Sequence, residues 1–335
     1  MEIFTPTVVK VLAILAIMPL GYFLKKIKAV KQKQVPLLSD LFVKVGLPAS
    51  VFLAFSAIEL QEEYLLLPIV GFLIVVAFAA ISYFIVRYIK LNRTMRTVFL
   101  VVMPTLAPAT VAYPFLMQLF GEKGLVTISL FNIGNILFLF SIDKMIAARL
   151  SNHHVKLKNS LKQFFHEPVI WATIAGLGVS YFHLQTPLMH EFFKVLADAS
   201  AFIIMMLLGI SFEWKASHMK NILPLIMAKT GLGMMIGYGA SVLFGFTGMQ
   251  QLSLIIFALV PPSAVTYIFV AHENHSPLPA QFEAELLAFA MPIGAIVVGL
   301  LVSFQQLALS PILAYVGAGI FAAGLLLIAK YGKKM

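Results

Sequence analysis

Nothing in this chain can form a disulfide or a thiolate metal site, because it contains no cysteine. Charge is scarce as well: Asp, Glu, Lys and Arg make up 11% of the 335 residues, less than half of the roughly 25% found in soluble domains. That scarcity excludes a soluble globular protein. There is no P-loop (a glycine-rich run ending in Gly-Lys-Ser or Gly-Lys-Thr), so nothing here draws directly on ATP. The HExxH, GxSxG and GxGD patterns are missing too, which leaves an intramembrane enzyme without support. The expectation is a protein that is not an enzyme and carries no cofactor. Arginine is absent from the interior of every long apolar stretch, and no Ser/Gly-rich linker divides the chain.

Apolar length is what the chain has in abundance. Hydrophobic residues make up 61% of it, and they gather into eleven stretches near 4–24, 36–58, 65–87, 97–119, 124–147, 167–184, 193–213, 221–245, 250–271, 280–304 and 309–330. A helix needs roughly 17–25 such residues to cross a bilayer. Lysine-rich connections alternate with acidic ones: Lys25 to Lys33 follow the first stretch, whereas Glu59, Glu62 and Glu63 follow the second. Arg87, Lys90, Arg93 and Arg96 follow the third, and the chain ends on Lys330, Lys333 and Lys334. The positive-inside rule then puts the N-terminus outside and the C-terminus in the cytoplasm, as in a bacterial inner membrane. The net charge of +10 is read as this cytoplasmic lysine excess, not as a nucleic-acid interface. The N-terminus lacks a basic n-region and a small-residue cleavage site, so the first stretch is expected to be a retained helix.

Two of the stretches are interrupted by prolines. One reads Pro104-Thr-Leu-Ala-Pro108-Ala-Thr-Val-Ala-Tyr113-Pro114, the other Val260-Pro261-Pro262-Ser-Ala-Val-Thr266-Tyr267. A shift of 154 positions superimposes Met95 on Met249, Pro108 on Pro262, Val111 on Val265 and Tyr113 on Tyr267. Around the second stretch, Pro36-Leu-Leu-Ser-Asp40 matches Pro187-Leu-Met-His-Glu191, and Ser50 matches Ser200. Five spans per half is an odd number, so the repeat has to be inverted in the membrane. Proline removes a backbone donor and clashes with the preceding turn. In lipid such a break is tolerated only inside protein or along a cavity. Paired breaks in two halves are the best pointer from sequence to a transporter's binding site. The last stretch has no partner and is an addition.

Several runs resemble the auxin efflux carrier family, which includes plant PIN-type carriers and bacterial malonate-type permeases. They are Gly21-Tyr-Phe-Leu-Lys-Lys, Phe42-Val-Lys-Val-Gly-Leu-Pro48, Tyr113-Pro114-Phe-Leu, Phe120-Gly121-Glu-Lys-Gly124, Asn132-Ile-Gly134-Asn135 and Val260-Pro-Pro-Ser-Ala-Val-Thr-Tyr-Ile-Phe-Val-Ala271. The resemblance covers about residues 5–304. Two departures stand out: Ala107 occupies the place of an Asn before the fourth-helix break, and Ser263 that of a polar amide frequent in plant carriers. The resemblance implies an all-α integral membrane protein of about ten transmembrane helices in a 5+5 inverted repeat, with crossed broken fourth and ninth helices and one extra C-terminal helix. Residues 1–64 and 167–220 would form a scaffold, and 65–147 and 221–304 a moving core. The segment 148–166 would be a cytoplasmic connection, and 305–335 the added helix and basic tail. The implied activity is secondary transport of a small organic anion, a carboxylate or auxin-like acid, by an elevator-type movement. Its partners are that anion, the bilayer and a possible homodimer mate. A sodium-coupled bile-acid-type symporter and a non-transporting sensor are the alternatives.

Half-helix N-termini at the crossing favour an anion through their N–H groups and dipole. Candidate binding residues are Ser50, Pro108, Thr110, Tyr113, Asn135, Pro261, Pro262, Ser263, Thr266 and Tyr267. Asn132 and Asn135 share one helix face, and amides in hydrocarbon commonly bond helix to helix. Asn135 also matches the family's Gly-Asn pair beside the crossing. Intramembrane charges are functional hypotheses by default, but cheaper readings exist for most of them. Lys10, Lys229 and Asp40 lie near enough to span ends to snorkel, and Asp143 is read as interfacial. Asp40 and Lys44 are spaced to pair at i, i+4. Glu283 and Glu285 open the tenth stretch as candidate proton carriers or as acids at a helix N-terminus. The pair His272 and His275 with Glu273 reads as a solvated loop, and no metal site is expected.

Overall fold

The computed structural model describes residues 6–30, 35–57, 62–150, 165–211, 216–263, 266 and 277–331, and a helix occupies each of the eleven apolar stretches wholly or in part. No strand occurs among the described residues. α1 (Pro6–Lys26) is followed by α2, which runs from Val35–Leu41 through a π-turn at Phe42–Gly46 into Leu47–Ser56. α3 is Leu66–Tyr88. α4 (Arg93–Thr97) opens on Asn92, whose Oδ1 accepts from the Met95 N–H at 2.8 Å, and runs into a second π-turn at Val98–Val102. Pro48 and Pro104 each follow their π-turn by two residues. A widened turn relieves the clash of a proline ring with the preceding carbonyls.

After the first break, at residues 103–107, come α5 (108–120) and α6 (122–138), joined at Gly121. Gly121 has φ 61°, which only glycine adopts without strain. Tyr113 bonds Asn132, and Leu106 bonds Asn135. Pairs so nearly symmetric about residue 121 make α5 and α6 an antiparallel hairpin. α6 continues through a third π-turn, Leu139–Asp143, into Lys144–Leu150. Asp143 is therefore fully buried. Its nearness to Lys144 suggested the interface, but the helix carries on about two turns further. Then follow α7 (Pro168–Tyr181), α8 (Pro187–Ser211), α9 (Ala216–Leu243) and α10 (Gly248–Leu259). The second break begins at Val260, and α11 (Pro277–Ser303), the short α12 (Gln305–Ala308) and α13 (Ile312–Tyr331) complete the chain.

Among the described residues, six helical stretches are long and apolar enough to cross a membrane, including Leu66–Tyr88, Pro187–Ile210 and Ile312–Lys330. The packing falls into two groups. α1 lies on α8, and α2 lies on α7 and α8. α3 packs along the α5–α6 hairpin, which also carries α10 and α11, while α9 packs on α10 and α13. α3 and α6 touch backbone to backbone, since a Cβ on Gly71 or Gly134 would run into Phe131 O or Pro68 O. In α9, Gly231 faces α13 at Gly317 and Phe321, while Gly233 and Gly237 face α10 at Ala258 and Ile255. These three glycines thus seat α9 closely against α10 and α13. Lys44 and Asp40 pair at 2.7 Å on the exposed side of α2, as their spacing required.

Candidate functional site

The first break is held by side chains from two other helices. Leu106 has lost both helical partners. Its N–H donates to Asn135 Oδ1 at 3.2 Å, and its carbonyl accepts from Asn135 Nδ2 at 3.0 Å. Asn135 Nδ2 also donates to Asn132 Oδ1 at 2.9 Å, and Asn132 Nδ2 donates to the Tyr113 hydroxyl at 3.2 Å. Asn132, Asn135 and Tyr113 are all buried. Both amides are thus fixed by the hairpin, which leaves Asn135 holding the break in shape and Asn132 holding Asn135.

The second break meets the first directly. Ala107 N–H donates to Pro261 O at 2.9 Å, and Ser263 N–H donates to Thr105 Oγ1 at 3.2 Å. The Thr105 hydroxyl in turn donates to Val102 O at 3.0 Å. Ser263 O accepts from Thr266 N–H and from its hydroxyl, at 3.3 and 2.6 Å. Gly294 of α11 lies against the ring of Pro261, where a Cβ would come within 2.6 Å of Pro261 Cδ. Gly294 therefore lets α11 approach the second break more closely than any larger residue would.

Beside the crossing lies a narrow crevice, lined by Phe42, Leu47 and Ser50 of α2, Ala197 and Ser200 of α8, and Ala109, Tyr113 and Pro114 of α5. It sits between the two helix groups, at the first turn of α5. There the leading N–H groups have no carbonyl of their own helix to bond. Ser50 and Ser200 hydroxyls lie 3.0 Å apart, and each also lies within bonding distance of its own helix, at Gly46 O and Ala197 O. Two protons serve these three contacts, so the pair can re-aim a hydroxyl at little cost. At the rim, Gln118 Nε2 donates to Asp198 Oδ1 at 3.2 Å, and His190 Nε2 lies 2.9 Å from Glu122 Oε1.

A second, small cavity lies on the other side of the crossing, lined by Met103, Lys229, Thr230, Pro261, Pro262 and Gly294. Lys229 does not snorkel. It sits near the middle of α9, 3% exposed, and donates to Met103 O and to Thr105 O (3.2 Å) at the first break. Its ammonium also lies 3.8 Å from the centre of the Phe78 ring. Lys229 lies within the apolar span Ile222–Leu243, and its side chain turns into the protein instead of toward a helix end.

The expected site residues divide accordingly. Ser50 and Tyr113 line the crevice, with Pro108 buried at the start of α5 and Thr110 half-buried beside it. Pro261 and Pro262 line the second cavity, Ser263 and Thr266 are buried at the crossing, and Asn135 clamps Leu106. Glu285 is half-buried at the start of α11 and lines neither cavity. Tyr267, His272, Glu273 and His275 lie outside the described residues, as does the side chain of Glu283. Thr105 and Lys229 were missed as site residues. For Lys229 the signal was present in the sequence, as a lysine well inside an apolar stretch. Thr105 carried none, since one threonine among the residues of a break looks like any other. Among the described residues, no group of His, Asp and Glu could hold a metal ion.

A family model described as membrane transport protein matches residues 6–297. No curated protein matches the chain.

Proposed function

Because the chain belongs to the membrane transport protein family, that of the auxin efflux carriers, we propose that it is a secondary carrier of a small organic anion. One observation carries this reading: a crevice between the two helix groups opens on the first turn of α5. The N–H groups of Ala109 and Thr110 in that turn, and the positive end of the helix dipole, favour a carboxylate without a buried arginine. Tyr113, Thr110 and the Ser50–Ser200 hydroxyls supply further polar contacts. In this reading the group of α1, α2, α7 and α8 is the scaffold. Residues 65–147 and 221–304 form the core that moves against it as an elevator, N-terminus outside and C-terminus in the cytoplasm.

Contacts between matched residues support an inverted repeat. Ser50 touches Ser200, and Ala107 bonds Pro261, as residues on a two-fold axis would. Sodium coupling through amide oxygens is disfavoured, since Asn132 and Asn135 spend theirs on one another and on Leu106. The test is a thermal-shift screen of purified protein against mono- and dicarboxylates, followed by counterflow in proteoliposomes with each hit. A carboxylate that raises the melting temperature and exchanges across the bilayer is the expected outcome. Binding without exchange would make the protein a sensor, and neither would end the reading.

A further inference from the structure

Lys229 is a buried charged residue at the crossing to which the carrier reading gives no role. Its three N–H bonds have three acceptors. Two are carbonyls released by the first break, Met103 O and Thr105 O; the third is the face of Phe78. Among the described residues no carboxylate pairs with it. A cation surrounded by break carbonyls is the ligand set that half-helix C-terminal ends and unwound carbonyls give a coupling ion in carriers built on broken helices. The ring face carries negative charge density, which attracts an N–H and repels a lone pair, so the contact favours the ammonium over the neutral amine. The half-helix α4 ends here, where its dipole also favours a positive charge.

We propose that Lys229 is a resident cation, tethered where these carbonyls would otherwise take a free monovalent ion. The carrier accordingly needs no sodium. It keeps a fixed positive charge at the crossing, and its anion binds beside a break already neutralised. The proposal rests on the carrier reading for its consequence in transport, but the cation site itself is testable by binding alone.

Shortening the side chain should turn the tether into a vacancy, reached from the cavity that Lys229, Thr230 and Met103 line. Purified Lys229→Ala should melt below wild type and recover about 2–4 °C in methylammonium chloride but not in tetramethylammonium chloride, with wild type unmoved. Lys229→Met, which fills the space without charge, should show no recovery. In proteoliposomes, wild-type counterflow should be equal in sodium and choline buffers. Lys229→Ala should fall about tenfold or more and regain flux with methylammonium or sodium. A folded Lys229→Ala without cation-specific stabilisation would overturn the proposal, as would Lys229→Met with wild-type flux. Should Lys229→Ala not fold, wild-type flux that requires sodium would overturn it and sodium-independent flux would uphold it. Cation-specific stabilisation with no flux in any variant or in wild type would uphold the site and sink the carrier reading instead.

Discussion

The two breaks solve one problem in opposite ways. At the first, the polar groups freed from the helix stay and partners are brought to them. Asn135 takes both groups of Leu106, and Lys229 takes the carbonyls of Met103 and Thr105. At the second, two donors are removed, since Pro261 and Pro262 have no N–H to satisfy; among its described residues, Pro261 O accepts the Ala107 N–H, Ser263 N–H donates to the Thr105 hydroxyl, and Ser263 O accepts from Thr266. Lipid forbids unsatisfied backbone, and either route meets that demand. They differ in vulnerability. The first break depends on distant side chains, the second on its own ring geometry.

That contrast can be broken experimentally, most severely at Asn135. Asn135→Leu keeps the volume and orphans the N–H and the carbonyl of Leu106, at about 1–3 kcal/mol each. A large fall in melting temperature and loss of counterflow are expected; an unchanged melt would show that the first break does not need its clamp. Thr105→Val removes the one hydroxyl shared by both breaks and should cost about 1–3 kcal/mol, read the same way. Pro262→Ala returns a donor to the second break, but that donor can turn toward the adjoining cavity. The expected cost is about 1 kcal/mol with folding intact and flux lost, and wild-type flux would remove the prolines from the mechanism. Ser50→Ala should cost about 0.5–1.5 kcal/mol and mainly weaken carboxylate binding in the thermal-shift screen. Least affected should be Glu285→Gln, which lines neither cavity. Its pH profile of flux should match wild type, and a lost optimum would promote that carboxylate to proton carrier.

The breaks themselves were legible because proline leaves an unmistakable mark inside an apolar stretch, and the matched offset tied them together. Asn135 was legible as an amide on the right face, but not as a clamp, since its partner Leu106 carries no polar side chain. Asp143 was misplaced because helix ends are the least certain feature of a sequence: its helix runs to Leu150, so it lies deeper than its apolar stretch implied. Lys229 stood well inside its stretch, but the carbonyls that hold it, Met103 O and Thr105 O, come beside it only in the fold. Thr105 became significant only when the second break arrived beside it.

The single-residue reversal at Gly121 has a kinetic consequence. It places Asn132 and Asn135 on the same hairpin as Tyr113 and next to Leu106, so the clamp and the segment it clamps belong to one body. A transport cycle that had to release Leu106 would add the cost of two orphaned groups, about 2–6 kcal/mol, to its barrier. At 1.36 kcal/mol per factor of ten, turnover would slow by about 30-fold to more than 10⁴-fold. On the elevator reading proposed above, a hairpin closed so tightly would let the crossing travel whole, and the barrier would fall on the parting of the two helix groups instead.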